Sequence, residues 1–191
     1  MATKQKVLRV LNATELKKLE AIDNEFHKAI MILLSNTGLR ISELVSLNIA
    51  DVCFDDLSIR EVIKVMGKGK KERTVPLNQK SKEAIFVLIQ HSKKQMKACF
   101  NSDSPLIVSQ KRSRMTRQTV SAIVKQYREE LKIETQLTPH VLRHQFATTL
   151  LKKNVNMKTV STLLGHSSIS TTIDIYTHTS SEDMKEAVDL L

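Results

Sequence analysis

Along most of this chain a short polar residue precedes apolar residues three or four apart, a pattern that fits helix and little else. Asn12 stands three residues before Glu15, a capping-box signature, and Leu16, Leu19 and Ile22 recur behind it. Phe26, Ile30, Leu33 and Leu34 make the stripe of a second helix over Glu25 to Asn36, which Gly38 ends. Ile41 to Leu47 reads as a short helix, leaving Arg40 at a helix junction. Asn78 caps a long helix to about Cys99, with Ile85, Leu88 and Ile89 inward. Thr116 caps another to Leu131, with Val120, Ile123, Val124 and Tyr127 inward. Thr138-Pro139 is a cap followed by a first-turn proline, so a helix is expected from Pro139 to about Lys153. Asn156 starts the next, which Gly165 closes; Ser170 opens a short one containing Tyr176, and Ser181 to Leu191 reads as a final amphipathic helix.

Only residues 52–76 break this rhythm. Asp55-Asp56 reads as a turn, Ser58 to Met66 partly alternates, Gly67-Lys68-Gly69-Lys70-Lys71 is a second turn, and Arg73 to Pro76 is a return strand. The expected fold is therefore mainly α with a small antiparallel β-sheet, an α+β arrangement. With no Trp and 4% aromatic residues, the core has to be aliphatic. The 191 residues suit one domain over 12–191, preceded by a loose basic lead over 1–11. Cys53 and Cys99 follow no metal spacing and are expected as small core residues of a reduced, cytoplasmic protein. There is no secretory leader and no apolar run of bilayer length, so no membrane association is expected. A formal charge of +10 favours a polyanionic partner such as nucleic acid, although a basic, solvated surface explains charge equally well.

The chemistry-bearing residues gather in the last third and at three glycine turns. Gly38, Gly67, Gly69 and Gly165 flank Arg40, Lys68 and His166, so scarce glycine stands where side chains are presented from tight turns. His140 and His144, four apart on a helix, together with His166 make one candidate zinc set. Valine at 141 removes the glutamate that such a helix would carry, and Arg143 between the histidines opposes a dication. No metal or cofactor is therefore expected. His140 and Arg143 instead fall in a first helical turn, where N–H groups and the dipole favour an anion. Arg143 and Arg40 suit a clamp on the two nonbridging oxygens of a phosphate. For Arg40 the plainer alternative is a structural ion pair with Glu43, and both readings hold together. Lys68, on a hairpin tip, suits reaching into a groove and donating a proton to a leaving oxygen. Tyr176 is either a core tyrosine or a nucleophile, and the second needs a cationic, hydrogen-bonding surround.

Thr37-Gly38-Leu39-Arg40-Ile41-Ser42-Glu43-Leu44, Gly67-Lys68-Gly69-Lys70-Lys71-Glu72-Arg73, Thr138-Pro139-His140-Val141-Leu142-Arg143-His144, Leu164-Gly165-His166-Ser167 and Ile175-Tyr176-Thr177-His178 resemble, in order, the boxes of the tyrosine recombinases, the phage integrase and Xer-type enzymes. The resemblance covers about residues 12–191. It implies a catalytic domain acting on duplex DNA, in which Tyr176 attacks the scissile phosphodiester to give a 3′-phosphotyrosyl link and a free 5′-hydroxyl. It further implies Arg40 and Arg143 as the clamp and Lys68 as general acid. His140 would assist deprotonation, His166 would hydrogen-bond the phosphate, and Glu43 would be the supporting acid. Lys70, Lys71 and Arg73 on the hairpin, and Arg112, Arg114 and Arg117 in the basic run 111–117, are the expected DNA contacts. The resemblance also implies self-association on DNA as a tetrameric synapse, with helix 181–191 a candidate for packing on a neighbour.

Two departures stand out. His166 and Tyr176 are ten apart, one more than in several relatives. With only residues 1–11 ahead of the catalytic fold, no separate core-binding domain is expected, the chain being either an excised catalytic domain or a compact stand-alone recombinase. The rival functions are a DNA-binding accessory protein of the same fold with little catalytic activity, and a metal-dependent phosphodiesterase, which lacks acidic ligands here.

Overall fold

Helix starts in this protein are set by side chains that accept the orphan N–H groups of a first turn. The computed structural model describes residues 10–67 and 72–165. Asn12 accepts from the Glu15 amide at 2.9 Å while Glu15 accepts in return from the Asn12 amide, opening α1 (Ala13–Glu20). Asn24 opens α2 (Glu25–Thr37), which stops at Gly38 in the left-handed conformation. Then come α3 (Ile41–Ser46) and α4 (Ile49–Val52), a one-turn helix that sequence periodicity is too short to reveal. After the sheet, Asn78 opens α5 (Gln79–Met96), Thr116 opens α6 (Arg117–Glu130), Thr138 opens α7 (Pro139–Lys152) and Asn156 opens α8 (Met157–Leu164).

The sheet is a two-stranded antiparallel hairpin among the described residues, β1 (Val62–Met66) against β2 (Glu72–Pro76), with Val65 opposite Arg73 and Ile63 opposite Val75. Strand β1 is shorter than the expected Ser58–Met66, because residues 59 and 53 make only an isolated bridge. The architecture is thus the expected mainly helical one with a small antiparallel sheet.

Helix α2 is the axis of the packing. It lies against α5 on one side and α7 on the other, and Ile30, Leu33 and Leu34 are completely buried. At roughly 1.5–3 kcal/mol for each such side chain, this aliphatic stripe drives the assembly. A second cluster joins Ala147, Val160 and Leu164 to Phe146, Leu150, Leu151 and Val155, pinning α8 onto α7. Cys53 is buried as expected, but Cys99 is exposed, because it falls in the 3-10 turn that ends α5 and not on its inner face. None of the described helices is long and apolar enough to cross a membrane.

Two histidines are half-buried in this frame away from any box. His27 on α2 meets the Tyr127 hydroxyl at 3.1 Å, and His91 on α5 donates through Nε2 to the Val108 carbonyl at 3.2 Å while stacking on Phe26. Burial lowers the pKa of each, and each also feels a like charge, His91 on His27 and Lys94 on His91; Glu130 and the Val108 carbonyl oppose this in part. A histidine whose pKa is lower folded than unfolded supports stability fully above about 6.5, the unfolded value, and loses it as pH falls through the folded value. The urea midpoint is therefore expected to fall between pH 7.5 and pH 5.5. His27→Gln/His91→Gln should flatten that fall, and an unchanged slope in the double variant would refute the assignment.

Candidate active site

The site is built on the C-terminal end of α8. Gly165 closes that helix at φ 62°, leaving the last carbonyls without intrahelical partners. Three arginines from separate segments take three consecutive carbonyls. Arg73 of β2 donates to Leu163 O at 2.5 Å, Arg143 of α7 to Leu164 O at 2.5 Å, and Arg40 before α3 to Gly165 O at 3.1 Å. The negative end of the helix dipole favours each cation there.

Glu43 ties two of these arginines together. Its Oε1 accepts from Arg40 Nη1, and its Oε2 accepts from both the Arg40 amide and Arg73 Nη2, all at 2.7 Å. The carboxylate is 2% exposed and the Arg73 side chain 8%. Burial alone would raise the Glu43 pKa; the Arg40 amide and the Arg73 charge outweigh it and hold the group below its ordinary value. Burial lowers the Arg73 pKa, with Glu43 opposing. Both stay charged at neutral pH. Among the described residues, three guanidiniums here stand against this single carboxylate, a balance suited to an incoming anion.

Arg143 is buried and reaches across to Gly38 as well, donating to its carbonyl. Gly38, at φ 61°, brings the α2 terminus close enough for this because it carries no side chain; a Cβ there would lie 2.5 Å from the Phe146 ring. His140 is exposed at the second position of α7, beside the N-terminal turn capped by Thr138. His144, one turn on, is buried, and burial first and the nearby His140 second lower its pKa.

The expected residues divide accordingly. Arg40, Glu43 and Arg143 are brought together on α8, and His140 sits at the start of the helix that carries Arg143. Lys68, Lys70, Lys71, His166 and Tyr176 lie outside the described residues, as do residues 181–191, where a final helix is expected. Arg112 and Arg117 are exposed. Of the other two expected DNA contacts, Arg114 is exposed as well and Arg73 is not. Arg73 turns inward, as its period-2 position with buried Val75 could have indicated. The Arg114 guanidinium is held at the end of α3, donating to Val45 O at 2.8 Å, Leu47 O at 3.1 Å and Asn48 Oδ1 at 2.5 Å.

The phage integrase family model matches residues 3–183 of this chain. Tyrosine recombinase XerC of Thermodesulfovibrio yellowstonii is 38% identical over 165 residues, 85% of this chain and 53% of that protein. Tyrosine recombinase XerD of Vibrio cholerae is 42% identical over 161 residues, 83% of this chain and 51% of that protein. The chain thus spans about half the length of the curated relatives it matches. Among solved structures, XerA recombinase superposes with a TM-score of 0.79 at 30% identity, covering 97% of this chain and 66% of that one. XerH site-specific recombinase, bound to its difH substrate before cleavage, gives 0.74 at 26% identity, covering 98% and 55%.

Removing the shared carboxylate isolates a buried guanidinium. Glu43→Ala is expected to lower stability by about 3–5 kcal/mol at pH 7, read from urea unfolding. Because the folded pKa is depressed, wild type loses this contribution only as pH falls below about 4.5, toward the folded value. A loss under about 1 kcal/mol would mean that the Glu43 cluster adds no more than a surface ion pair.

Proposed function

Since the chain belongs to the phage integrase family, in which it is a tyrosine recombinase catalytic domain, we propose that it breaks and rejoins duplex DNA at a specific site through a 3′-phosphotyrosyl intermediate. The observation that carries this reading is the meeting of Arg40 and Arg143 on consecutive carbonyls immediately before His166. Two guanidiniums delivered to one point by different segments suit the two nonbridging oxygens of a phosphodiester.

In this mechanism the Tyr176 hydroxyl loses its proton, with help from His140, and its oxygen attacks phosphorus. Charge builds on the nonbridging oxygens of the pentacoordinate transition state, where Arg40, Arg143 and a hydrogen bond from His166 oppose it. The bond to the 5′ oxygen breaks, and Lys68 gives that oxygen a proton. The tyrosyl phosphodiester keeps the energy of the broken bond, so a 5′-hydroxyl of a partner strand reverses the reaction without a nucleotide cofactor. Glu43 supports the site by holding Arg40 from two directions. Duplex DNA is the substrate, contacted by Lys70, Lys71, Arg112, Arg114 and Arg117, and the active species is a tetramer on DNA with segment 181–191 a candidate for the inter-protomer contact. The setting is the cytoplasm, on the nucleoid.

A duplex nicked beside the cleavage position traps the intermediate, because the short leaving strand diffuses away. Incubation with EDTA is expected to give a covalent protein–DNA adduct, and Tyr176→Phe to abolish it. An adduct that needs metal, or survives that substitution, overturns the mechanism; specific footprinting without any adduct points to an accessory DNA-binding role. Lys68→Ala should slow cleavage by two orders of magnitude or more, as loss of a general acid does. Replacing the 5′ bridging oxygen with sulfur, a leaving group that needs no proton, should restore most of the rate, and failure of that rescue removes the general-acid role.

A further inference from the structure

Arg73 is the least expected member of the α8 cluster. It belongs to no phosphate clamp, its side chain is 8% exposed, and Glu43 and the Leu163 carbonyl take its two terminal nitrogens. Its Nε has no partner among the described residues, and its stem lies against Gly165, where any Cβ would collide with it. A buried cation with an unsatisfied donor is a costly way to pack a strand onto a helix, since an apolar residue of similar size would do that alone. The arrangement makes sense if the charge itself is needed. Glu43 offers Oε2 to both Arg73 and the Arg40 amide and Oε1 to the Arg40 guanidinium. Without Arg73, that carboxylate keeps only its two bonds to Arg40 and loses the one that ties the pair to β2.

We propose that Arg73 is a positioning residue for the strand-transfer reaction: through Glu43 it fixes the Arg40 guanidinium, and through Leu163 O it locks β2 to the end of α8. The proposal rests on the recombinase reading above. It replaces the expectation that Arg73 contacts DNA. Two segments are thereby set with one side chain, the strand that follows Lys68 in sequence and the helix end that precedes His166. A displacement of about 1 Å in such a framework is enough to cost on the order of a hundredfold in rate.

The test compares wild type, Arg73→Lys, Arg73→Ala and Arg40→Ala on the nicked duplex, with circular dichroism melts fixing a temperature at which each is folded. Lysine keeps the charge but cannot span Glu43 and Leu163 O together, so a roughly tenfold or greater loss of single-turnover cleavage is expected for it, and more for alanine. Affinity for the duplex, and its salt dependence, should stay within about twofold of wild type. The diagnostic readout is a substrate whose scissile phosphate carries a neutral methylphosphonate. That substrate has less charge for Arg40 to offset, so the deficits of Arg73→Lys and Arg73→Ala should shrink alongside that of Arg40→Ala. Unchanged cleavage in both Arg73 variants, a deficit that persists on the neutral substrate, or a loss confined to binding with a shallower salt slope overturns the proposal. Failure of both variants to fold assigns Arg73 to the fold alone and overturns it equally. If wild type itself forms no Tyr176-dependent adduct, the recombinase reading falls first, and the two failures stay distinct.

Discussion

The carbonyls that end α8 are where this molecule is tied together. A helix C-terminus must find donors for its last carbonyls, and here the donors are three arginines from β2, α7 and the α2–α3 junction. Elements far apart in sequence are thus fixed to one point by charge-assisted hydrogen bonds, which are shorter and stronger than neutral ones. Because the dipole end and the Glu43 carboxylate already hold the guanidiniums in place, the reaction proposed above would leave little reorganisation for the phosphate. Preorganised positive charge of this kind is the main resource of a phosphoryl-transfer site that works by electrostatics.

The aliphatic core makes that convergence possible. Helix α2 is packed against α5 and α7 along the aliphatic stripe of Ile30, Leu33 and Leu34, which fixes the direction of Gly38 and of the Arg40 junction beyond it. The smaller cluster of Ala147, Val160 and Leu164 fixes α8 against α7 independently. Gly38 and Gly165 then allow two helix ends to approach, each in the left-handed conformation that a side chain would strain. The hairpin is too small to be stable by itself, and Arg73 supplies its anchor.

Much of this was legible in the residues. Caps at Asn12, Asn78, Thr116, Thr138 and Asn156 locate the helices because an N-cap is a local device, complete within four residues. Arg40, Glu43 and Arg143 could be singled out because their motifs lie beside glycine turns and helix starts. Local reasoning has a limit: Arg73 and the exposed Arg114 each stand within a basic run. Neither run says that a partner carboxylate or a row of carbonyls from another element waits beneath one of its members. Cys99 was misplaced for the same reason, since an irregular final turn rotates a residue off the face that ideal periodicity assigns.

Sequence alone determined that the chain is mainly helical, where the longer described helices begin, and that one small hairpin interrupts them. It could do so because capping, periodicity and residue type are short-range properties. Only the tertiary structure decided that Arg40 and Arg143 meet, that Glu43 binds Arg73 as well as Arg40, and that the end of α8 is the meeting place. Those facts depend on how a buried aliphatic core orients helix ends in space, and hydrogen bonds spanning 125 residues of chain leave no mark on the spacing between neighbours.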